Sequence, residues 1–378
     1  MANFSQLPNE ILLLVAKYLY SQKDINALVR TNWRLYHLLY AFLCHFNIQH
    51  HKSSGLLSAA GSGNFTIVEQ FLDVGASISS FELKPDRGWS VESFRRQDNP
   101  LLRAAQNGHV ELLKTMLSGT HPGCACAPEQ LRTVLHWAIN TGNQVIVELM
   151  IANKAPLGSS SIIGDTTTAL SQAVRVGRES IIECILQTGW KWTLLSPDPF
   201  AHAVSLNDTS ILQLLLNYGL HPQSDEFLVQ ACRQDSTAAL RLLIDSGFDM
   251  MIYGPIALFS AIMHGNQTIV QFLIQEGVTP HLISAANFQI PRSTIWYAVR
   301  SKQLHILKLL VAEGVRPEYD ALAVAKEQNC LEAIAILEKF SYEDIPEKVP
   351  LKLWIEYWED KRSEDPNFHP LIMYQSQK

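Results

Sequence analysis

Apolar and polar positions in this chain alternate in one repeated order. Leu258 to Gly277 (LFSAIMHGNQTIVQFLIQEG) shows it well. Leu258 and Ala261 lie three apart, on one face of a short helix that Gly265 ends. Ile269/Val270 and Leu273/Ile274 recur four apart, which predicts a second helix with one apolar stripe. Gly277 then closes it. Neither helix has enough apolar face to form a core alone.

The order recurs along most of the chain. The Ala position is found at Ala59, Ala104, Ala138, Ala173, Ala203, Ala231, Ala261, Ala298 and Ala325. Three residues before each stands Leu56, Leu101, Leu135, Leu170, Phe200, Leu228, Leu258, Ile295 or Leu322. Four residues after each comes a turn position: Gly63, Gly108, Gly142, Gly177, Asn207, Asp235, Gly265, Lys302 and Asn329. Gly, Asn and Asp tolerate a left-handed backbone, and Lys302 is the exception. A closing Gly lies twelve residues beyond the turn at Gly75, Gly189, Gly219, Gly247, Gly277 and Gly314.

Two copies, TVLHWAINTGNQVIVELMI (133–151) and LLRAAQNGHVELLKTML (101–117), resemble the ankyrin repeat. Thr133, Leu135, His136, Ala138, Gly142, Asn143, Ile146 and Val147 match its pattern, with Val134 in place of Pro. The resemblance spans about nine degenerate copies over residues 54–340. It implies a curved α-solenoid whose concave face binds protein partners.

The first fifty residues follow a different pattern. Pro8 sits where a first helical turn needs no N–H, and Glu10 lies near the positive end of the helix dipole. Ile11, Leu14, Val15, Tyr18 and Leu19 trace an apolar face. Asp24 is the expected N-cap of a second helix carrying Ile25, Leu28 and Val29, and Thr31 or Asn32 of a third carrying Trp33, Leu35, Tyr36, Leu38 and Leu39. Such a small three-helix module is expected to lean on a partner.

LPNEILLLVAKYLYSQKDINALVRTNWRLYHLL (7–39) resembles an F-box at Leu7, Pro8, Glu10, Ile11, Leu12, Leu19, Asp24, Leu28, Trp33 and Arg34; Ile25 and Asn32 depart mildly from the family pattern. The resemblance implies docking on the Skp adaptor of a cullin–RING ubiquitin ligase, with Leu7, Pro8, Ile11, Leu12, Val15, Leu19, Ile25, Leu28 and Trp33 as adaptor contacts. The rest of the chain would then select the target. The alternative is a non-catalytic ankyrin interaction scaffold in which the same residues act only as a helical cap on the first repeat or in ligase-independent assembly.

The expected architecture is all-α: an F-box over 1–48, ankyrin repeats over 54–340, and a C-terminal helix and tail over 341–378. In the first inter-repeat connection the Ala-to-Ala spacing stretches to 45 residues through SISSFELKPDRGWSVESFRRQDN (77–99). Its Trp89, Phe94, Arg95 and Arg96 are of residue types that favour recognition, although a passive loop reads equally well. Trp190 and Trp192 follow Gly189, and Tyr253 follows Gly247, so these three are expected in hairpins as target contacts. Trp137 and Trp296 are expected to pack within repeat helices. At the end of the repeats, Glu338 stands where earlier copies have an aliphatic residue, which predicts a polar terminal face. Beyond it, Leu351–Lys361 is expected to form a short helix resting on the last repeat through Leu353, Trp354 and Tyr357.

Composition narrows the function. With 47% hydrophobic and 17% charged residues over 378, the chain reads as globular. A net charge of −6 argues against a broad nucleic-acid footprint. No apolar run reaches the length of a membrane span and no signal peptide opens the chain. Six scattered cysteines, with Cys184, Cys232 and Cys330 placed in repeat helices, point to a reducing intracellular compartment, cytoplasm or nucleus. The sequons at Asn64, Asn207 and Asn266 fall at repeat turns and read as by-products of the turn. His121, Cys124, Cys126 and His136 lack zinc-module spacing, and no phosphate loop, nucleophile elbow or metalloprotease motif occurs, so neither an enzyme nor a cofactor or metal site is expected.

Overall fold

A computed structural model of the chain describes residues 4, 7–81, 99–159, 167–189, 198–222, 226–248, 250–281, 283–284, 292–317 and 319–340. The chain divides into two compact units, Met1–Pro197 and Asp198–Lys378. Among the described residues, the regular structure of both is almost wholly α-helical.

In the first unit, α1 (Asn9–Lys17), α2 (Gln22–Val29) and α3 (Trp33–His50) form the N-terminal module. Four helix pairs follow: α4 (Ser54–Ser62) with α5 (Phe65–Asp73), α6 (Pro100–Gln106) with α7 (Val110–Leu117), α8 (Pro128–Thr141) with α9 (Gln144–Ala152), and α10 (Ala169–Val176) with α11 (Glu179–Gln187). The second unit holds five more pairs: α12 (Pro199–Ser205) with α13 (Thr209–Asn217), α14 (Glu226–Arg233) with α15 (Thr237–Asp245), α16 (Met250–His264) with α17 (Gln267–Gln275), α18 (Thr294–Arg300) with α19 (Leu304–Ala312), and α20 (Tyr319–Glu327) with α21 (Leu331–Leu337). Ahead of α18, β1 (Ile283–Ser284) and β2 (Arg292–Ser293) pair antiparallel, Ile283 opposite Ser293. Among the described residues of the second unit, this two-residue ladder is the one regular element that is not a helix.

The repeated order explains the pairs. All nine Ala positions are buried, because a methyl group there lets successive helices approach closely. All nine turn positions take a left-handed backbone, from φ 53 at Asn207 to φ 82 at Gly265. Lys302 does so at φ 60 without the relief that Gly gives. The closing position of the third pair is likewise filled by a left-handed Lys154, where no Gly marks it in the sequence.

Neighbouring pairs are joined by side chains that reach back to the previous turn. His109 Nε2 lies 3.1 Å from the Gly61 carbonyl and His305 Nε2 3.0 Å from that of Gly265. Gln234 donates to the Ser205 carbonyl at 2.8 Å and Gln328 to that of Arg300 at 3.1 Å. In the last pair Ala333 and Leu337 are buried while Glu338 is exposed and ion-paired with Lys326 at 3.2 Å.

Some local expectations are corrected. Asp24 lies in the first turn of α2, and Ser21 holds the cap position, so the carboxylate acts on the dipole only. Helix α16 begins at Met250 and contains Pro255, because the run MMIYGPIALFSAIMH offers no polar break before Leu258. Cys330 precedes α21 as its N-cap residue instead of lying within a helix. Asn64 and Asn266 hold the N-cap positions of second helices, Asn64 accepting from the Ile67 amide and Asn266 donating to the Cys232 carbonyl, whereas Asn207 is itself the left-handed turn residue. Residues 341–378, including the expected helix at 351–361, lie outside the described residues.

Candidate functional site

The N-terminal module buries a small core of Leu12, Ala16, Ile25, Val29, Leu35, Leu39 and Leu43. Leu7, Leu19 and Leu28 pack against it half-buried, and Val15 is also half-buried. Asn32 caps α3 by accepting from the Leu35 amide at 2.9 Å. Beside it, Arg34 donates to the Leu7 carbonyl at 2.9 Å and to Asn9 Oδ1 at 2.7 Å. The start of α1 is thereby fixed against the start of α3.

The apolar face read along α1 splits in two. Leu12 and Ala16, four apart, turn inward, so α1 meets α3 through them. Ile11 (43% exposed), Leu14 (49%) and Tyr18 (68%) lie on a second line, three and seven residues from the first, facing outward. Pro8 is also exposed. Trp33, at the head of α3, is 78% exposed, and its ring meets His37 edge-on at 4.0 Å. Phe4 and Tyr20 add exposed aromatic surface.

This placement corrects two expected contact residues. Leu12 and Ile25 have no exposed surface, because a module of three short helices must spend its innermost aliphatic residues on its own core. Pro8, Ile11 and Trp33 are open to a partner. Leu14, Tyr18 and Tyr20 join them, though only the spacing of Ile11, Leu14 and Tyr18 along α1 hinted at it.

The module is welded to the first helix pair. Helix α3 runs unbroken past residue 48, and the boundary expected there falls inside it. Asn47, almost wholly buried, accepts from the Gly55 amide at 3.0 Å and donates to Gln22 Oε1 at 3.1 Å and Ser54 Oγ at 3.2 Å. One side chain thus ties α2, α3 and α4. Gly55 is required by close packing, since a Cβ there would lie 2.4 Å from the Phe71 ring.

Of the expected target contacts, Trp89, Phe94, Arg95, Arg96, Trp190 and Trp192 lie outside the described residues. Tyr253 is described, and it lies in the first turns of α16 instead of a hairpin, half-buried with its ring edge-on to Phe248 at 5.4 Å. Trp137 and Trp296 are both half-buried within helices. His121 pairs with Asp73 at 2.8 Å and the Cys126 thiol donates to the Cys124 carbonyl. Among the described residues, no three His, Cys, Asp or Glu side chains come together as a metal site. All six cysteines are free thiols, and burial pushes Cys44 and Cys232 up to about 12 and Cys126 up to about 11. None of these three is a poised nucleophile. No described helix is long and apolar enough to cross a membrane.

Comparison with known proteins bears on the helix pairs. A family model described as ankyrin repeats (3 copies) matches residues 101–194 and 200–284. A solved structure of the ankyrin repeat domain of Bcl-3, described as a unique member of the IkappaB protein family, is 25% identical. The match covers 48% of this chain and 88% of that one, with a TM-score of 0.40. No curated protein sequence matches the chain. The family match and the nine left-handed turns agree on the identity of the pairs: residues 101–194 and 200–284 are ankyrin repeats.

Proposed function

We propose that this chain is the substrate-recognition subunit of an SCF-type cullin–RING ubiquitin ligase. The N-terminal module docks the Skp adaptor, and the ankyrin repeats, as protein-interaction modules, hold the target. The observation that carries the reading is the exposure of the apolar line Ile11–Leu14–Tyr18 on α1 and of Trp33 at the head of α3. A module that only capped a stack would turn its large apolar side chains inward and leave a polar face to solvent. The F-box-like order of Leu7, Pro8, Glu10, Trp33 and Arg34 adds to it.

The chain performs no bond chemistry in this scheme. Tethering raises the concentration of target lysines near the ubiquitin donor, and proximity supplies the rate. A cytoplasmic or nuclear setting follows from that role.

The test is co-elution of the full-length protein with its own organism's Skp adaptor, beside an Ile11→Ala/Leu14→Ala/Trp33→Ala variant. These positions are exposed, so the variant keeps its helical circular-dichroism signal. Co-elution lost in the variant supports the ligase receptor. No co-elution by the parent overturns it, and the chain is then an ankyrin scaffold with a helical cap.

A further inference from the structure

Helix α8 differs from the other repeat helices of the first unit. It starts seven residues before the repeat's Leu135, whereas α10 starts one residue before Leu170. The added turns carry Gln130 and Arg132, which are only 5% and 3% exposed. Two residues apart on a helix, they point about 200° apart, toward opposite neighbours.

Gln130 faces the preceding connection. Its Nε2 donates to the Ile78 carbonyl at 2.7 Å, its Oε1 accepts from the Ala127 amide at 3.0 Å, and its backbone carbonyl accepts from Asn99 Nδ2 at 3.2 Å. Asn99 Oδ1 in turn accepts from the Leu101 amide at 3.0 Å and so caps α6. Residues 82–98 run between these two anchors. Arg132 faces the following connection. Its Nη1 donates to the Gly158 carbonyl and its Nη2 to the Thr167 carbonyl at 2.6 Å. Thr168, next along, caps α10 in a reciprocal box with Ser171. Residues 160–166 run between Gly158 and Thr167.

We infer that the N-terminal turns of α8 form a two-sided clamp that fixes the feet of both inter-repeat inserts, Gln130 holding 78 to 99 and Arg132 holding 158 to 167. The physical reason for a charge here is the fork of the guanidinium. Two donors in a rigid plane reach two strands that a single neutral donor would not bridge. A guanidinium at 3% exposure is also costly to leave without acceptors, and Glu129 Oε2, one turn back on the same helix, faces it at 3.9 Å from Nε. Both inserts therefore leave from one rigid helix, and each foot opens independently of the other.

The measurement is amide hydrogen exchange of the full chain, comparing Arg132→Met and Gln130→Leu with the parent. Arg132→Met is expected to speed exchange at residues 167–171 by about tenfold or more while Ile78 and 101–103 stay as in the parent. Gln130→Leu removes the side-chain bond to the Ile78 carbonyl and keeps the backbone carbonyl that Asn99 binds, so it is expected to speed exchange at residues 78–81 while 101–103 and 167–171 stay as in the parent. Should Arg132→Met not fold, Arg132→Lys keeps the charge but reaches one carbonyl, and exchange at 167–171 should still rise. Faster exchange spread evenly over all helices of the first unit would overturn the clamp, as would unchanged exchange at 167–171 in every Arg132 variant.

Discussion

Replacing Asn47 tests whether the N-terminal module and the first helix pair form one cooperative piece. Its side chain makes three hydrogen bonds, to Gln22, Ser54 and the Gly55 amide, from a position with 1% exposure. In Asn47→Ala the Gly55 N–H loses its acceptor, which costs about 1–3 kcal/mol for a buried donor. Gln22 and Ser54 are nearer solvent and recover part of their loss from water, so they add about 0.5 kcal/mol each. Water does not readily replace the lost acceptor, because Gly55 lies hard against the Phe71 ring. The sum is about 2–4 kcal/mol.

Amide exchange in α3, α4 and α5 reads this directly. A loss of that size speeds exchange by about 30- to 1000-fold, at about 1.4 kcal/mol per decade. Asn47→Leu separates causes, since it fills the volume but supplies no acceptor to Gly55. Both variants are expected to lose protection to a similar degree. If Leu restored what Ala lost, packing would be the cause and the hydrogen-bond reasoning would fail. If neither changed exchange in α4 and α5, the module would be joined to the repeats by some other means.

Two further outcomes follow from the same structure. Lys302→Gly should stabilise the second unit by about 0.5–1 kcal/mol: relief of a left-handed Lys is worth about 1–2 kcal/mol, less about 0.4–1 for the extra freedom of Gly when unfolded. Urea melts should show it, and a destabilised variant would mean the turn is not strained. Burial that raises Cys44 and Cys232 from 9.0 to about 12 should cut their thiolate at pH 8 by about a thousandfold, so Ellman's reagent should titrate them only after unfolding. The sign for stability is set by the unfolded thiols, which ionise first as pH rises past about 9 while the folded ones stay protonated. These two sites therefore favour unfolding above that pH and are neutral below it.

The repeats were legible because their order is written in residue types with one physical use each. Ala permits close helix approach, and Gly, Asn or Asp permits a left-handed turn. At Lys302 and Lys154 the neighbouring structure imposes the same backbone on a residue that does not advertise it. The N-terminal module was harder to read. Ile11, Leu14, Val15, Tyr18 and Leu19 share a helical half-turn, and hydropathy alone does not say that Leu12 and Ala16 face α3 while Ile11, Leu14 and Tyr18 face out. That choice depends on where α3 lies, which Arg34 fixes by reaching back to Leu7 and Asn9. The roles of Asn47, Gln130 and Arg132 were illegible for the same reason. The partners that join them to other elements lie 7 to 52 residues away, with no periodic relation to them.

Those three residues also set what the chain can transmit. In the first unit, three polar side chains that are almost wholly buried sit where regular structure changes: Asn47 where the N-terminal module meets α4, Gln130 and Arg132 where inserts interrupt the repeats. Helices packed through Ala and Leu can slide by small amounts at little cost, because dispersion contacts have no preferred direction. Hydrogen bonds in a dry setting have direction, and a slip strands a donor or an acceptor. The apolar surfaces therefore hold the first unit together, while these polar nodes fix the register of α1–α3 on the repeats and of each insert on α8. Under the proposed ligase-receptor function, that fixity has a use: a docking face that turned freely on the repeats would spread a tethered target over a larger volume and lower its effective concentration.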